Sequence, residues 1–199
     1  ANNDFAAFAP KLSHIVSLVQ RKAHYIGFDE HPYDALLDEY EPGATTKELT
    51  ELFSELRKGS QSILKTKTTQ EEPLQIGAPV GEQLAICKEI LTLVGFDFKR
   101  GRLDLSAHPF SSSYHPNDSR LTTRAESHGI IVQILTTLHE VGHSFYDMGL
   151  PVEYYGTPLC QPVSLGIHES QSRFWETRIG RSLPFWKFMF PKLEKYIGG

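Results

Sequence analysis

Leu138-His139-Glu140-Val141-Gly142-His143, closing the apolar run Ile130–Leu138, is the stretch that decides how this chain is read. Its His-Glu-x-x-His spacing predicts two imidazoles on one face of an α-helix, because residues four apart lie about one turn apart. Both rings can then reach one zinc ion. Glu140, beside them, can take a proton from a water that the ion polarises, which is the chemistry of peptide-bond hydrolysis. A buried helix with locally bonded histidines would satisfy the same residue types. The surrounding segment Gly129–Leu135 is apolar nearly all round, predicting a helix sunk in a core, where a cleft-lining metal site belongs.

With 199 residues, 40% of them hydrophobic, and a net charge of −4, the chain suits one globular domain over 1–199 or a portion of a larger one. Charges are dispersed and form no basic block, so no nucleic-acid partner is expected. No apolar stretch approaches the roughly 18 to 20 residues that span a bilayer, so no membrane partner is expected either. The start, Ala1 to Phe5, has no basic region followed by an apolar core, so no secretory leader is expected. Cys87 and Cys160 are too few for a disulfide framework and suit free thiols in a reducing, cytoplasmic setting.

Apolar residues at helical spacing (Phe5, Phe8, Leu12, Ile15, Val16, Val19) predict a helix from about Asn3 to Tyr25. Pro32 and Pro42-Gly43 predict a loop holding the acidic, aromatic segment Asp34 to Tyr40. Thr45-Thr46-Lys47-Glu48 has the form of a capping box opening a helix. Lys65 to Glu72 predicts a polar loop, and Pro79 opens a helix to about Val94, closed by Gly95. Arg102 to Ser106 and Ser119 to Arg124 alternate polar and apolar, predicting two strands of a small antiparallel sheet, with the Ser/Pro/Asn/His-rich stretch between them a loop. After the His-Glu-x-x-His helix come a loop, Gly149 to Pro162, a helix from about Val163 to Gly180, and an amphipathic helix from Pro184 carrying Trp186, Phe190, Leu193 and Tyr196. The fold class expected is mainly α with that small sheet.

A catalytic zinc usually takes three protein ligands and keeps a position open. The extended pattern that supplies a third histidine fails here, since Tyr146 and Gly149 stand where glycine and histidine would. A carboxylate on a following helix is the other solution. Glu169 in Ile167-His168-Glu169-Ser170-Gln171-Ser172 is the best candidate, because Gly149, Pro151, Gly156 and Pro158 let the chain turn back; Glu176 and Glu153 are alternatives.

The run from His139 to Glu176, HEVGHSFYDMGLPVEYYGTPLCQPVSLGIHESQSRFWE, resembles the M32 metallocarboxypeptidases, with their HExxH and HESQ motifs at His139–His143 and His168–Gln171. A third motif of that family, DxRxT, matches Asp118-Ser119-Arg120-Leu121-Thr122, and the segments His31 to Tyr40 and Gly101 to Phe110 are similar to family sequence. The resemblance extends over essentially the whole chain. It implies His139, His143 and Glu169 as metal ligands, Glu140 as general base, a cleft within a mostly helical fold, and removal of single C-terminal amino acids from a peptide substrate. It places Asp118, Arg120 and Thr122 near the cleft. Arg120 is then a candidate for contacts with peptide carboxylate or carbonyl oxygens, against the alternative of a structural ion pair. The cofactor expected is Zn2+, although the same ligands accept Co2+ or another divalent ion.

Members of that family are expected to be more than twice this long and to carry two later motifs, IRxxAD and GxxQDxHW, that do not occur here. The fold is therefore expected to be part of the full family fold. Two functional readings are open: a zinc carboxypeptidase or its N-terminal catalytic portion, and a truncated, non-hydrolytic metal-binding or structural remnant. An exposed apolar face left by a partial fold would favour a homo-oligomer or a complementary C-terminal chain as partner. An endopeptidase using the same zinc arrangement would cleave peptides blocked at the C-terminus.

Overall fold

The structure is a computed structural model and describes residues 4–66, 77–125 and 129–197. Two of the sequence expectations, a helix start at Asn3 and the polar loop from residue 67 onward, lie outside the described residues. Two compact units divide the chain, Ala1–Glu71 and Glu72–Gly199.

In the first unit, α1 (Phe5–Ile26) begins at Asp4, whose carboxylate accepts the Ala7 N–H at 3.0 Å. The segment expected to be a loop holds a short helix, α2 (Pro32–Leu37). The reason is local. Pro32 occupies the first helical position, where its missing N–H costs nothing, and His31 Nδ1 accepts the Tyr33 N–H at 3.1 Å. A proline that punctuates a loop can equally open a helix. In α3 (Thr46–Thr66) the capping box forms in both directions: Glu48 takes the Thr45 N–H at 3.1 Å and Thr45 Oγ1 takes the Glu48 N–H at 3.2 Å. This helix includes Lys65 and Thr66, whose polar surroundings predict loop. The Asp34 carboxylate accepts the Thr46 N–H at 2.7 Å and the Thr46 hydroxyl, tying α2 to the start of α3.

The second unit holds the larger core. Ile86, Ile90 and Leu91 of α4 (Val80–Leu93) meet Ile130, Ile134, Leu138 and Val141 of α5 (Ile130–Met148), all essentially inaccessible to solvent. Those α5 positions recur every three or four residues, which makes one continuous buried stripe. Each such side chain contributes roughly 1.5–3 kcal/mol by leaving water. Val132, on the opposite side, is 63% exposed, so the helix is amphipathic and not buried all round. Its polar side is what opens onto a cleft.

The sheet departs from expectation. It has three strands in the order β1-β3-β2, with β1 (Gly101–Leu105) parallel to β3 (Asp118–Thr123) and β2 (Ser111–His115) antiparallel to β3. The two expected strands exist, displaced by one residue, but they are parallel because a further strand between them in sequence adds a second reversal of direction. That strand, Ser-Ser-Ser-Tyr-His, reads as loop because serine has little strand preference. Its hydroxyls supply what propensity does not. Ser111 Oγ lies 3.0 Å from Ser144 Oγ, Ser113 Oγ bonds Ser119 Oγ at 3.2 Å, and Ser119 Oγ donates to Ser144 Oγ at 2.8 Å. The sheet thus docks on α5 at the residue following His143.

The helix expected from Val163 to Gly180 is α6 (Leu165–Arg173) running on as a π-helical turn, Phe174–Ile179. The last helix, α7 (Leu183–Ile197), buries Phe185, Met189 and Leu193, while Phe190 is 43% exposed. Helices α5 and α6 cross closely at Gly142. A Cβ there would lie 2.6 Å from both the Gln171 carbonyl oxygen and Ser172 Cα, inside any van der Waals contact. Gly142→Ala should therefore push the two helices apart and destabilise the protein by about 1–3 kcal/mol in thermal or urea unfolding. An unchanged midpoint would refute the close approach.

Candidate metal centre

Helix α5 presents His139 and His143 one turn apart, with ring centroids 5.1 Å from each other and side chains 20% and 17% exposed. Helix α6, brought in at Gly142, carries Glu169 against them. Glu169 Oε2 is 3.7 Å from His139 Nε2 and 3.2 Å from His143 Nε2. One ligand atom from each of the three lies within 4.8 Å of the others, and they form the convergent donor set among the described residues. The chemistry of that set, two imidazole nitrogens and a carboxylate oxygen, suits a zinc-like divalent ion with a side left open. Glu169 is half-exposed, and Ser172 Oγ donates to its Oε2 at 3.0 Å, holding it in place.

Of the alternatives, Glu153 sits in a single exposed turn, Val152–Tyr154, outside that set. Glu176 meets the site from behind. Its Oε2 lies 3.0 Å from His139 Nδ1, the nitrogen facing away from Glu169, and its carboxylate is also held by Arg173 at 2.8 Å and Arg181 at 3.1 Å. Burial raises the Glu176 pKa, but the hydrogen bonds from His139 and Arg181 outweigh it and leave the carboxyl below its ordinary value. On the other imidazole, His143 Nδ1 lies 2.7 Å from His168 Nδ1, and His168 Nε2 lies 2.8 Å from Asp147 Oδ1. Sequence reading does not single out His168 or Asp147 for any role. The available signal is spacing, since Asp147 follows His143 by one helical turn and His168 precedes Glu169 directly.

Glu140 lies on α5 next to His139 and is 7% exposed. Burial raises its pKa; the His139 ring opposes this and Glu169 adds to it. Burial also lowers the His143 pKa, helped by His168 and His139. A hollow of about 390 Å³ opens beside His139 and Glu140, bordered by His108, Gln133, Arg124 and Arg173. A larger one, about 1050 Å³, lies within the first unit around Asp34 and Asp38. Of these two, the smaller hollow is the one that adjoins the convergent donors, through His139.

The DxRxT residues sit on β3, where Asp118, Arg120 and Thr122 alternate with the inward Ser119, Leu121 and Thr123. Arg120 pairs bidentately with Asp118 at 2.8 and 3.0 Å and lies over the Tyr114 ring at 5.2 Å. Thr122 is buried; its Oγ1 accepts the Phe110 N–H at 3.0 Å and the Ser106 hydroxyl at 2.7 Å. Through these bonds it secures the loop that brings His108 to the hollow. The cysteines are both free and buried, and no described helix is long and apolar enough to cross a membrane.

A mainly helical scaffold that gathers two histidines and a glutamate around one point, with a buried carboxyl alongside, is the arrangement of a metallopeptidase. Comparison with known proteins gives the particular family: residues 1–199 match the model of the Carboxypeptidase Taq (M32) metallopeptidases, and the chain belongs to that family. It is 42% identical to thermostable carboxypeptidase 1 of Thermus thermophilus over 208 residues, covering 97% of this chain and 41% of the relative. Identity to thermostable carboxypeptidase 1 of Pyrococcus furiosus is also 42%, over 204 residues, covering 99% of this chain and 41% of the relative. The solved Pyrococcus furiosus carboxypeptidase superposes with a TM-score of 0.81 at 40% identity, covering 98% of this chain and 41% of that one. The chain therefore spans about 41% of the length of these curated relatives.

Burial drives Glu140 and His143 each toward its neutral form, raising the pKa of the first and lowering that of the second. Glu140 has a folded pKa above its unfolded value, so it destabilises the fold when ionised, and that loss sets in as pH rises through the folded pKa. Metal-free Glu140→Gln should accordingly melt higher than the unaltered chain at pH 7, with the gap closing as pH falls toward about 4. A gap that is absent or independent of pH would count against a buried, ionised Glu140.

Proposed function

We propose that this chain carries the metal-binding portion of a zinc-dependent carboxypeptidase, an enzyme that removes C-terminal amino acids from peptides. Its ligands are His139, His143 and Glu169. The observation that supports this most is the convergence of both Nε2 atoms on one Glu169 oxygen while each Nδ1 is engaged elsewhere. A histidine bonded at Nδ1 keeps Nε2 free for a cation. When bound, a divalent ion, zinc or alternatively cobalt, supplies Lewis acidity for the scissile carbonyl and the attacking water.

Glu140 is the general base in this reading. Its burial and raised pKa suit a carboxyl that accepts a proton from water and returns it to the leaving amine. The neighbouring hollow, with His108, Arg124, Arg173 and the buried Gln133, offers the peptide both donors and apolar wall. Asp118, Arg120 and Thr122 take the substrate-side role implied by family likeness. Arg120 would exchange its exposed Asp118 partner for a peptide carboxylate or carbonyl, and Thr122 would keep the His108 loop in register. Free buried cysteines fit a cytoplasmic setting. A second copy or a complementary C-terminal chain is the partner proposed for the exposed apolar positions.

The second reading is a metal-binding remnant of that family without hydrolytic activity. One assay separates the two: release of free amino acid from an N-blocked dipeptide with added zinc or cobalt. On the first reading, Glu140→Gln keeps its metal and loses about 10²–10⁴ in rate, whereas His143→Ala and Glu169→Ala lose the metal itself. Equal release by the unaltered and Glu140→Gln proteins would end the catalytic reading, and metal binding with no release would establish the second.

Both imidazoles must be neutral to bind, so metal should leave as pH falls below about 6. Because burial lowers the His143 pKa, that ligand holds on further into acid than a free histidine would. Full occupancy retained at pH 5 with His143→Ala unaffected would exclude histidine ligation.

A further inference from the structure

The proposed metal centre uses one nitrogen of each ligand histidine, and the assignment of the remaining two nitrogens rests on that reading. Those nitrogens are held by two separate groups of side chains. On the His143 side, the Asp147 carboxylate can only accept, so the 2.8 Å contact places a hydrogen on His168 Nε2. A neutral His168 then has a bare Nδ1. The 2.7 Å contact between the two Nδ1 atoms needs one donor, which is therefore His143 Nδ1–H. His143 is left with a lone pair on Nε2, facing Glu169. The two rings stack at 20° with centroids 4.6 Å apart, and Tyr146 packs edge-on against His168 at 5.2 Å, which holds the His168 ring in place.

On the His139 side a different device reaches the same end. Glu176 accepts from His139 Nδ1–H at 3.0 Å and is itself clamped by Arg173 and Arg181. The π-helical turn Phe174–Ile179 carries this carboxylate, and Trp186 Nε1 donates to the Gly180 carbonyl at the end of that turn, at 2.8 Å. Departures of this kind from α geometry recur at functional sites.

We propose that Asp147 and His168, acting on His143, and Glu176 with Arg173 and Arg181, acting on His139, are positioning residues that lock both ligand histidines in the Nδ1–H tautomer. They aim both Nε2 lone pairs at one cation before it arrives. Neither group touches the cation. A free imidazole distributes its hydrogen between the two nitrogens and rotates about χ2. Fixing both variables in advance removes that disorder from the cost of binding, and outer partners of this sort typically alter metal affinity 10- to 100-fold.

The test uses the intact chain and reads more than activity. Long-range ¹⁵N–¹H histidine spectra of the metal-free protein should show His139 and His143 as Nδ1–H and His168 as Nε2–H. In His168→Phe and Asp147→Ala the His143 signals should move toward a tautomer mixture while those of His139 stay. Glu176→Leu should do the reverse. Zinc affinity, measured by competition with a chromogenic chelator, should fall about 10- to 100-fold in each, whereas Glu176→Gln, which keeps an acceptor, should remain close to the unaltered chain.

Ligand histidines found as Nε2–H in the unaltered protein would overturn the proposal, and so would folded variants that bind zinc as tightly as it does. If a variant fails to fold, the spectrum of the unaltered chain decides alone. An unaltered chain that shows these tautomers yet binds no zinc, or a His143→Ala protein that binds it undiminished, would instead bring down the metal reading.

Discussion

The close crossing of α6 over α5 at Gly142 is the constraint on which the site depends. The two imidazoles lie on one helix by spacing alone, but the carboxylate belongs to another and must be carried to them. With no side chain at Gly142, the α6 backbone at Gln171 and Ser172 comes closer than any Cβ would allow. That proximity places Glu169 Oε2 within 3.7 Å of both Nε2 atoms. The glycine inside the His-Glu-Val-Gly-His run is therefore a packing residue as much as part of a motif. Its absent methyl group is a tertiary requirement written into a local sequence.

Around that crossing, the rest of the second unit keeps α5 still. On one side the stripe Ile130, Ile134, Leu138 and Val141 locks into α4 and α7 through dense apolar contact. On another the sheet grips the helix through hydroxyls, with Ser144 bonded to Ser111 and Ser119. The mixture suits the position: hydroxyl contacts are directional and fix rotation about the helix axis, which apolar packing leaves softer. Rotation is what would carry His139 and His143 away from Glu169.

Burial at the centre shifts its ionisable groups. Glu140 is raised by its dry surroundings and His143 is lowered by them, so each is driven toward its neutral form. Glu176 is the exception, kept ionised by two arginines and His139 in spite of burial. A carboxylate held behind a ligand imidazole is the kind of outer partner a cation site of this composition uses.

Much of this was legible in the amino-acid order. Helical period located α1 and α5, Pro79 and Gly95 bracketed α4, the Thr45–Glu48 capping box that opens α3 forms as written, and the pair His139 and His143 with Glu140 follows from a spacing of one helical turn. These are local rules, and neighbours along the chain are enough to state them. Where side chains contradict local preference, sequence misleads: the serines of β2 sit in a strand with their hydroxyls bonded to Ser144 and Ser119, and Pro32 opens a helix that His31 caps. The tertiary structure alone decided three things. It made β1 and β3 parallel, it set Glu169 in front of the imidazoles, and it put Glu176, His168 and Asp147 behind them. Each joins residues that are distant along the chain or turned onto particular faces. Only the packing of α6 and its π-helical extension on α5 sets which nitrogen each partner meets.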